Sequence, residues 1–562
     1  MLEHEVVVVG AGLAGMRAAI EAHRNGADVA LVSKLHPVRS HSGAAQGGIN
    51  AALGNAEPDE PSNHTFDTVK GADYIGDQDA IEVMCNEAPR DIYELEHMGC
   101  VFTRNDQGKI AQRPFGGASF PRTCFAADIT GHVILHTLYE QVLRAGIKVY
   151  EEWFVTDLIV DDGRVHGVIA WDIIRGGLNP IGARAVILAT GGAGRVFYGT
   201  TNAHASTGDG MVLAYRAGAA LKDMEFMQFH PTTLKSNGVL VTEGARGEGA
   251  YLRDKDGNRF MGQYAPNKWE LASRDVVARA EQTEIDEGRG RDGCVFLDLT
   301  HLGKERIMLR LPQIRELAID FAGVDPITDW IPIRPGAHYT MGGVDVDKWG
   351  KSRQIEGLYA AGECSCVSVH GSNRLGGNSL LETVVFGRRS GEHAGTLVRD
   401  LPAPTAHRSA GVLADAQGRI DALFSSDGGE RPAKLRHELA TDMHEHFGVF
   451  RDGPTMTEGR DKVADLAERY RRGVWVQDKG RVFNNDLTFA LEVGYLIELA
   501  QVMAAGAINR TESRGAHSRT DFPERDDANW MKHTIAFRDG LGVRLGYAGV
   551  TVTQYQPQVR SY

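Results

Sequence analysis

Cysteine is scarce and scattered in this chain: six residues in 562 (Cys85, Cys100, Cys124, Cys294, Cys364, Cys366), with no CxxC pair and no ladder of spacings. That pattern excludes a disulfide framework and an iron–sulfur cluster held by this chain alone. No metal-ligand set is read, and buried reduced thiols in a cytosolic compartment are expected. Positive charge is also in deficit. Lys and Arg number 61 against 74 Asp and Glu, a net charge of −13, which argues against nucleic acid as a partner because a phosphate backbone selects basic surfaces. A few local arginines can still hold a small anion. Nor is there an uninterrupted apolar run of membrane length. The most apolar stretch, Leu491 to Ile508, is broken by Glu492, Glu498 and Gln501, so a buried bundle helix and no direct membrane insertion are expected. The first strand begins almost at Met1, so no signal or transit peptide is expected. Internal repeats and low-complexity segments are absent.

Glycine, by contrast, is abundant, with 67 residues clustered in short motifs, as where backbone must turn sharply or approach a ligand closely. A chain of this length calls for two to four domains. Glu5 to Val9 is a β-branched run that ends in Gly10-Ala11-Gly12-Leu13-Ala14-Gly15, followed by a helical stretch to about His23 and a strand over Asp28 to Val32. Strand, glycine turn, helix, strand is the opening of a dinucleotide-binding fold. A β-rich stretch from Val149 to Trp171 leads to a second strand-and-glycine turn at Ala185 to Gly192. From about Glu225 to Gly343 the pattern turns irregular and rich in Gly, Arg and His. Gly357 to Glu363 again reads as strand into turn, with a helix after Asn378. Apolar positions recur at helical spacing from about Arg431 to Ile508. The expected division is 1–225 and 344–410 for an interrupted nucleotide-binding domain, 226–343 for the insertion, 411–520 for a helical domain and 521–562 for a small C-terminal domain.

In the first turn, Gly10 permits the tight bend, Gly12 lets a pyrophosphate approach the backbone, and Gly15 allows helix–strand packing. The following helix offers N–H groups and a positive dipole end to phosphates. One piece is missing. The second strand ends in Ser33-Lys34 rather than in an acid for the ribose, which argues against a plain NAD enzyme and leaves the ribose to another residue.

Beyond it stand RSHSGAAQGG (residues 39–48), GADYIGDQDAIE, QRPFGG, ATGGAG, TGDG, QFHPT, LVTEGARGEG, HYTMGG and HGSNRLGGNSLLE, with RGAHSRTDFPERDD at residues 514–527. Together and in this order they resemble the succinate dehydrogenase/fumarate reductase flavoproteins over nearly the whole chain. The resemblance implies an α/β fold: a Rossmann-like FAD-binding domain interrupted by an inserted α+β capping domain, then a helical and a small C-terminal domain. It implies FAD bonded covalently through its 8α-carbon to His41. The cofactor site would comprise Gly10, Gly12, Ala14, Gly15, Ser33, Lys34, Ser42, Gln46, Gly47 and Gly48, with Asp209 and Glu363 at the nucleotide or ribityl part and Ser379 and Leu380 near the isoalloxazine. Asp209 can supply the acid that the second strand lacks.

A four-carbon dicarboxylate offers only two negative ends, so its site needs two anion clamps. His230, Thr242, His338 and Arg374 match the family's substrate-binding residues: Arg374 with His338 at one carboxylate, His230 with Thr242 at the other. Arg274 matches its acid/base, with Glu243 and Arg246 as members of a proton relay, since an arginine alone is a poor base. The resemblance therefore implies succinate oxidised to fumarate, with electrons passing to an iron–sulfur subunit, membrane anchor subunits and, through them, quinone. The location implied is the cytoplasmic face of a prokaryotic membrane, reached through those partners. Alternatives are fumarate reduction by a quinol-linked enzyme, L-aspartate oxidation (whose enzymes lack the linking histidine) and a non-catalytic flavin-binding subunit. Gln46 favours the dehydrogenase, because dedicated reductases carry glutamate there. Two departures from the family pattern, the short stretch Gly116 to Arg122 and Glu382 in place of aspartate, are expected to alter subunit contacts more than chemistry.

Overall fold

The computed structural model describes residues 2–404 and 408–561. Residues 405–407, next to the division expected at 410, lie outside the described residues, as do residues 1 and 562. Strand β1 (Leu2–Val9) runs into helix α1 (Leu13–Arg24) and strand β2 (Val29–Ser33), and Val6 to Val9 are buried without alternation. A strand buried on both faces reads as a continuous β-branched run because helices cover the sheet above and below. Strands β3 (Lys148–Glu151), β4 (Trp153–Asp161), β5 (Arg164–Asp172) and β6 (Leu178–Leu188) complete most of the sheet, in the order β3-β2-β1-β6-β5-β4. Its β3, β2, β1 and β6 strands are parallel, and β4 and β5 form an antiparallel flap. Helix α2 (Asp209–Arg216) follows.

The stretch that reads as irregular is regular. Strands β7 (Met227–Leu234), β8 (Tyr251–Arg253), β9 (Val295–Asp298) and β10 (Ile331–Thr340) form an antiparallel sheet in the order β7-β10-β9-β8. Helix α3 (Glu243–Gly247) and helix α4 (Arg274–Asp286) belong to the same segment, which has its own apolar core around Leu252, Leu297 and Ile331. The apolar alternation is hidden because β7 buries polar residues (Gln228, His230, Thr232, Thr233) and its register shifts twice against β10.

After this segment, strand β11 (Leu358–Ala360) pairs in parallel with β6 and so rejoins the first sheet. Helix α5 (Asn378–Leu397) then lies along α1. The two backbones nearly touch. A Cβ added to Gly387, Gly391 or Gly395 would stand 2.6, 2.2 or 2.8 Å from the carbonyl oxygen of Ala14, Ala18 or Ala22 respectively. Helices α6 (Arg408–Ser425), α7 (Pro432–His446), α8 (Gly453–Arg472) and α9 (Asn485–Asn509) follow. Helix α9 is long and apolar enough to cross a membrane, but 72% of its most apolar window is buried within the protein. Asn484 caps it, its side-chain oxygen accepting the Leu487 N–H at 2.8 Å. The final hairpin, β12 (Lys532–Asp539) and β13 (Gly542–Gly549), extends a five-stranded sheet through residues 221–222, 343–345 and 365–366. All six cysteines are buried and unbridged.

Candidate active site

A cavity of about 530 Å³ runs from the turn between β1 and α1 to the edge of the inserted sheet. At its first end Gly10 has φ +107°, and a Cβ there would stand 2.2 Å from the Ala189 carbonyl oxygen; a Cβ on Gly15 would stand 1.8 Å from the Gly10 carbonyl. Both positions admit only glycine. Gly12 caps α1 and faces the Ser40 and Ser42 hydroxyls. Gly12 and Ala14 line the cavity, whereas Gly15 does not and serves packing alone. At the end of β2, Ser33 and Lys34 line the wall. Lys34 Nζ lies 2.7 Å from Asp209 Oδ2 and 2.6 Å from Glu492 Oε1 of α9. The Asp209 carboxylate, at the start of α2, thus stands beside the end of strand β2.

Midway along, His41 Nδ1 accepts the Ala203 N–H at 3.3 Å, and the Asn202 side-chain amide lies 3.2 Å from Nε2. Burial, and then the Arg195 charge, lower the imidazole pKa to about 4. The ring is neutral at physiological pH, and the Ala203 N–H donor leaves Nδ1 as an acceptor. Ser42, Gln46, Gly47 and Gly48 continue this wall, where the buried Gln46 Oε1 has no hydrogen-bond partner. Arg113 braces the loop by donating to the carbonyls of Gly47 and Ala127, its Nε 3.0 Å from the former. Glu363 Oε1 accepts the Thr340 N–H at 2.9 Å, and burial raises its pKa to about 7. Ser379 and Leu380 present the first turn of α5, which is fixed by the Asn378 contacts to Asn50 (2.8 Å) and His64 (2.9 Å).

At the far end, the inserted segment closes the cavity with Arg274, His230, Thr242 and His338, opposite Arg374. Arg274 is the first residue of α4. Its Nε and Nη2 donate to Glu243 Oε2 at 2.8 and 2.6 Å, and its Nη1 to Gln228 Oε1 at 3.1 Å. The amide nitrogen of Gln228 donates onward to the Arg374 carbonyl at 2.7 Å, which fixes the spacing of the two arginines. Thr242 caps α3, accepting the Gly244 N–H at 3.1 Å. His230 Nδ1 accepts the Thr232 N–H at 3.2 Å, and its Nε2 is buried without a partner. The His338 ring stands 4.8 Å from that of His230, and burial and then Arg274 hold both imidazoles neutral. Arg246 lies behind Glu243, with Nη2 3.7 Å from Glu243 Oε1, and does not line the cavity.

Arg374 decides what this end can hold. It is 2% exposed, its Nε has no hydrogen-bond partner, and among the described residues no carboxylate forms an ion pair with it. Its guanidinium rests 4.5 Å above the Tyr339 ring. Burial, and then Arg274, push its pKa below the usual arginine value. An unpaired buried cation is costly and calls for an anion.

The same segment corrects two expectations. Glu382 is not at a subunit contact: it is 2% exposed, accepts the Tyr339 hydroxyl at 2.5 Å and lies 3.0 Å from His370 Nε2, so it sits beneath Arg374. The stretch Gly116 to Arg122 also faces the chemistry, since the Gly116 N–H donates to Glu243 Oε1 at 2.8 Å.

Comparison with known proteins agrees with this geometry. A family model described as "FAD binding domain" matches residues 5–380, and one described as "Fumarate reductase flavoprotein C-term" matches residues 436–562. The succinate dehydrogenase flavoprotein subunit of Rickettsia conorii is 47% identical over 99% of this chain and 96% of its own length. The fumarate reductase flavoprotein subunit of Mycobacterium tuberculosis is 44% identical over 100% of this chain and 99% of its own length. The chain belongs to the succinate dehydrogenase/fumarate reductase flavoprotein family. A structure of E. coli quinol fumarate reductase matches at a TM-score of 0.96 and 42% identity, covering 100% of this chain and 99% of that one.

As a flavoprotein of this family the chain binds FAD, and its residues fit the cofactor. Glycine-lined turns, two helix N-termini and buried polar atoms without partners border one long cavity. Several positioning groups were not singled out in the sequence: Arg113, Asn202, Gln228 and Tyr339. Arg113, Gln228 and Tyr339 lie inside QRPFGG, QFHPT and HYTMGG, so the motifs marked their place without their role.

Proposed function

We propose that this flavoprotein oxidises succinate to fumarate with FAD joined to His41. The observation that carries this reading is Arg374, buried without a counter-ion at the end of the cofactor cavity opposite Arg274. Arg374 and His338 hold one carboxylate of the substrate. The unpartnered Nε2–H of His230 and the Thr242 hydroxyl hold the other. A carboxylate at Arg374 forms charge-assisted, bidentate hydrogen bonds and removes the cost of an isolated cation.

Bound FAD supplies the hydride acceptor. Arg274 takes the proton from the adjacent carbon as it gives one of its own to Glu243. Its guanidinium is fixed at three nitrogens by Glu243 and Gln228, so the direction of proton transfer is set before substrate arrives. Glu243 is fully buried; burial opposes its charge, yet Arg274 and Arg246 hold its pKa below the ordinary carboxylate value. It remains an anion able to accept the proton from Arg274, with Arg246 next in the relay. Neutral His41, with Nδ1 engaged by Ala203, is the attachment point through its other nitrogen. Gln46 favours the dehydrogenase direction. The same site catalyses fumarate reduction in reverse, as the naming of relatives in both directions suggests.

The relatives are named as subunits, and one matching structure is a quinol-fumarate reductase with menaquinol molecules. On that basis electrons leave this chain singly through an iron–sulfur subunit to quinone, with membrane anchor subunits holding the complex at the cytoplasmic face.

The test is direct. The complete complex is precipitated with acid, and a tryptic flavopeptide containing His41 is sought; dye reduction is then measured with succinate. Free flavin in the supernatant would remove the covalent link, and no succinate-dependent reduction by flavin-loaded complex would remove the function.

A further inference from the structure

Helix α4 carries a second acid that the chemistry above does not use. Glu281 lies two turns beyond Arg274 and is 0% exposed, with neither carboxyl oxygen hydrogen-bonded. The charge that acts on it is that of Arg246. Arg246 donates Nη1 to the Glu270 carbonyl at 2.5 Å but leaves Nε and Nη2 buried without a hydrogen bond, Nη2 having only the 3.7 Å ion pair with Glu243. Two neighbouring buried groups with unmade hydrogen bonds are ordinarily joined by a shared water. One turn further along α4, Glu284 accepts the Tyr264 hydroxyl at 2.5 Å and pairs with Arg289 at 2.7 Å. The Arg289 side chain is 40% exposed.

We infer that Glu281 continues the proton relay beyond Arg246, taking protons from it by way of a shared water and releasing them towards the Glu284–Tyr264–Arg289 group one turn along α4 and so to solvent. The inference rests on the function proposed above. Each succinate yields one proton from the carbon next to the one that loses hydride. Arg274 passes it to Glu243, and Arg246 takes it as it gives up one of its own. Glu281 releases its proton outward and takes the one from Arg246, so the relay ends the cycle as it began. Burial pushes the Glu281 pKa well above the carboxylate range, which keeps it neutral and proton-carrying. A neutral acid suits the position, because an ionised one without a partner is too costly there. The alternative is an acid merely tolerated in the core, and an apolar side chain would serve that purpose better.

The experiment uses the flavin-loaded complex with Glu281→Gln, Glu281→Leu and Glu281→Asp. For Gln and Leu, turnover with succinate is expected to fall at least about tenfold, with little change in KM and a larger solvent deuterium isotope effect. Asp is expected to restore part of the rate, and Leu to raise Tm while abolishing relay function. Independently of activity, the infrared band of a buried protonated carboxyl should disappear from the Gln variant. Wild-type turnover and isotope effect in both Gln and Leu would overturn the inference and end the relay at Arg246. A wild-type complex inactive towards both succinate and fumarate would instead overturn the proposed function, and the inference with it.

Discussion

Arg560 reaches back to Asp275: its Nη2 lies 2.6 Å from Asp275 Oδ2, and Asp275 is the chain neighbour of Arg274 at the start of α4. The same nitrogen is 3.1 Å from Asp73. Arg279 at 3.2 Å and the Ser273 hydroxyl complete the hold on the fully buried Asp275 side chain. Arg560 therefore helps fix the helix end that presents Arg274.

Arg560→Ala is expected to lower kcat roughly three- to tenfold with KM nearly unchanged, because small displacements of a proton-transferring group cost rate steeply. Loss of one of two cations at Asp275 should cost about 1–3 kcal/mol of stability, less than a sole partner would. Arg560→Lys should recover part of both. Steady-state kinetics and calorimetry on the same preparations check this, and an unaltered kcat would show that Arg279 alone suffices.

For Arg374→Leu, stability and activity should move in opposite directions. Fumarate binding should weaken by about 2–5 kcal/mol as one partner of a buried charge pair is lost, and turnover should become undetectable. The ligand-free protein should nevertheless melt at the wild-type temperature or above, because an unpaired buried cation has been removed. Thermal shifts with and without fumarate report both effects. A large fall in the ligand-free Tm would mean that Arg374 holds the fold through contacts other than charge.

Gln46→Glu places a carboxylate on the cofactor wall, where the Gln46 side chain is almost wholly buried. Negative charge there opposes reduction of the bound flavin. The ratio of succinate oxidation to fumarate reduction should fall several-fold, read from paired dye assays. An unchanged ratio would separate Gln46 from the direction of catalysis.

His533 ties the final hairpin to the body of the protein, with Nδ1 2.7 Å from Asp223 and Nε2 3.3 Å from Asp77. Burial opposes its charge, but Asp223 and then Asp77 outweigh that and raise its pKa to about 9. Since the folded value exceeds the unfolded one of about 6.5, its contribution is complete below pH ~6.5 and disappears as pH rises through ~9, about 3 kcal/mol at most. His533→Gln should flatten Tm against pH across this window. A wild-type curve already flat there would exclude a charged His533.

The opening of the fold was legible because its signals are local: a β-branched run buried on both faces, and glycines at 10, 12 and 15 within one turn. The inserted sheet was not, because β7 carries the buried polar residues of the site and so lacks apolar alternation. Motifs placed Arg274, Glu243 and Arg374 on the page, but not the groups that aim them. Asn202 meets His41 across 161 residues of chain, and Gln228 meets the Arg374 carbonyl across 146. Pairings at such separations leave no periodic trace in sequence. Glu382, read only as a departure from the family's aspartate, misled for the same reason, since its contacts with Tyr339 and His370 are set by the fold.

The bare backbone contact between α1 and α5 also sets an order of events during synthesis. Helix α1 reaches its close backbone packing only when Gly387, Gly391 and Gly395 are present, so the amino-terminal cradle is expected to lack this wall until residue 395 of 562 has left the ribosome. Flavin capture is then expected to be a late step in the life of the nascent chain. Ribosome-arrested chains ending near residue 350 should retain no FAD, and chains exposing residues through about 400 should begin to; retention by the shorter set would refute this order.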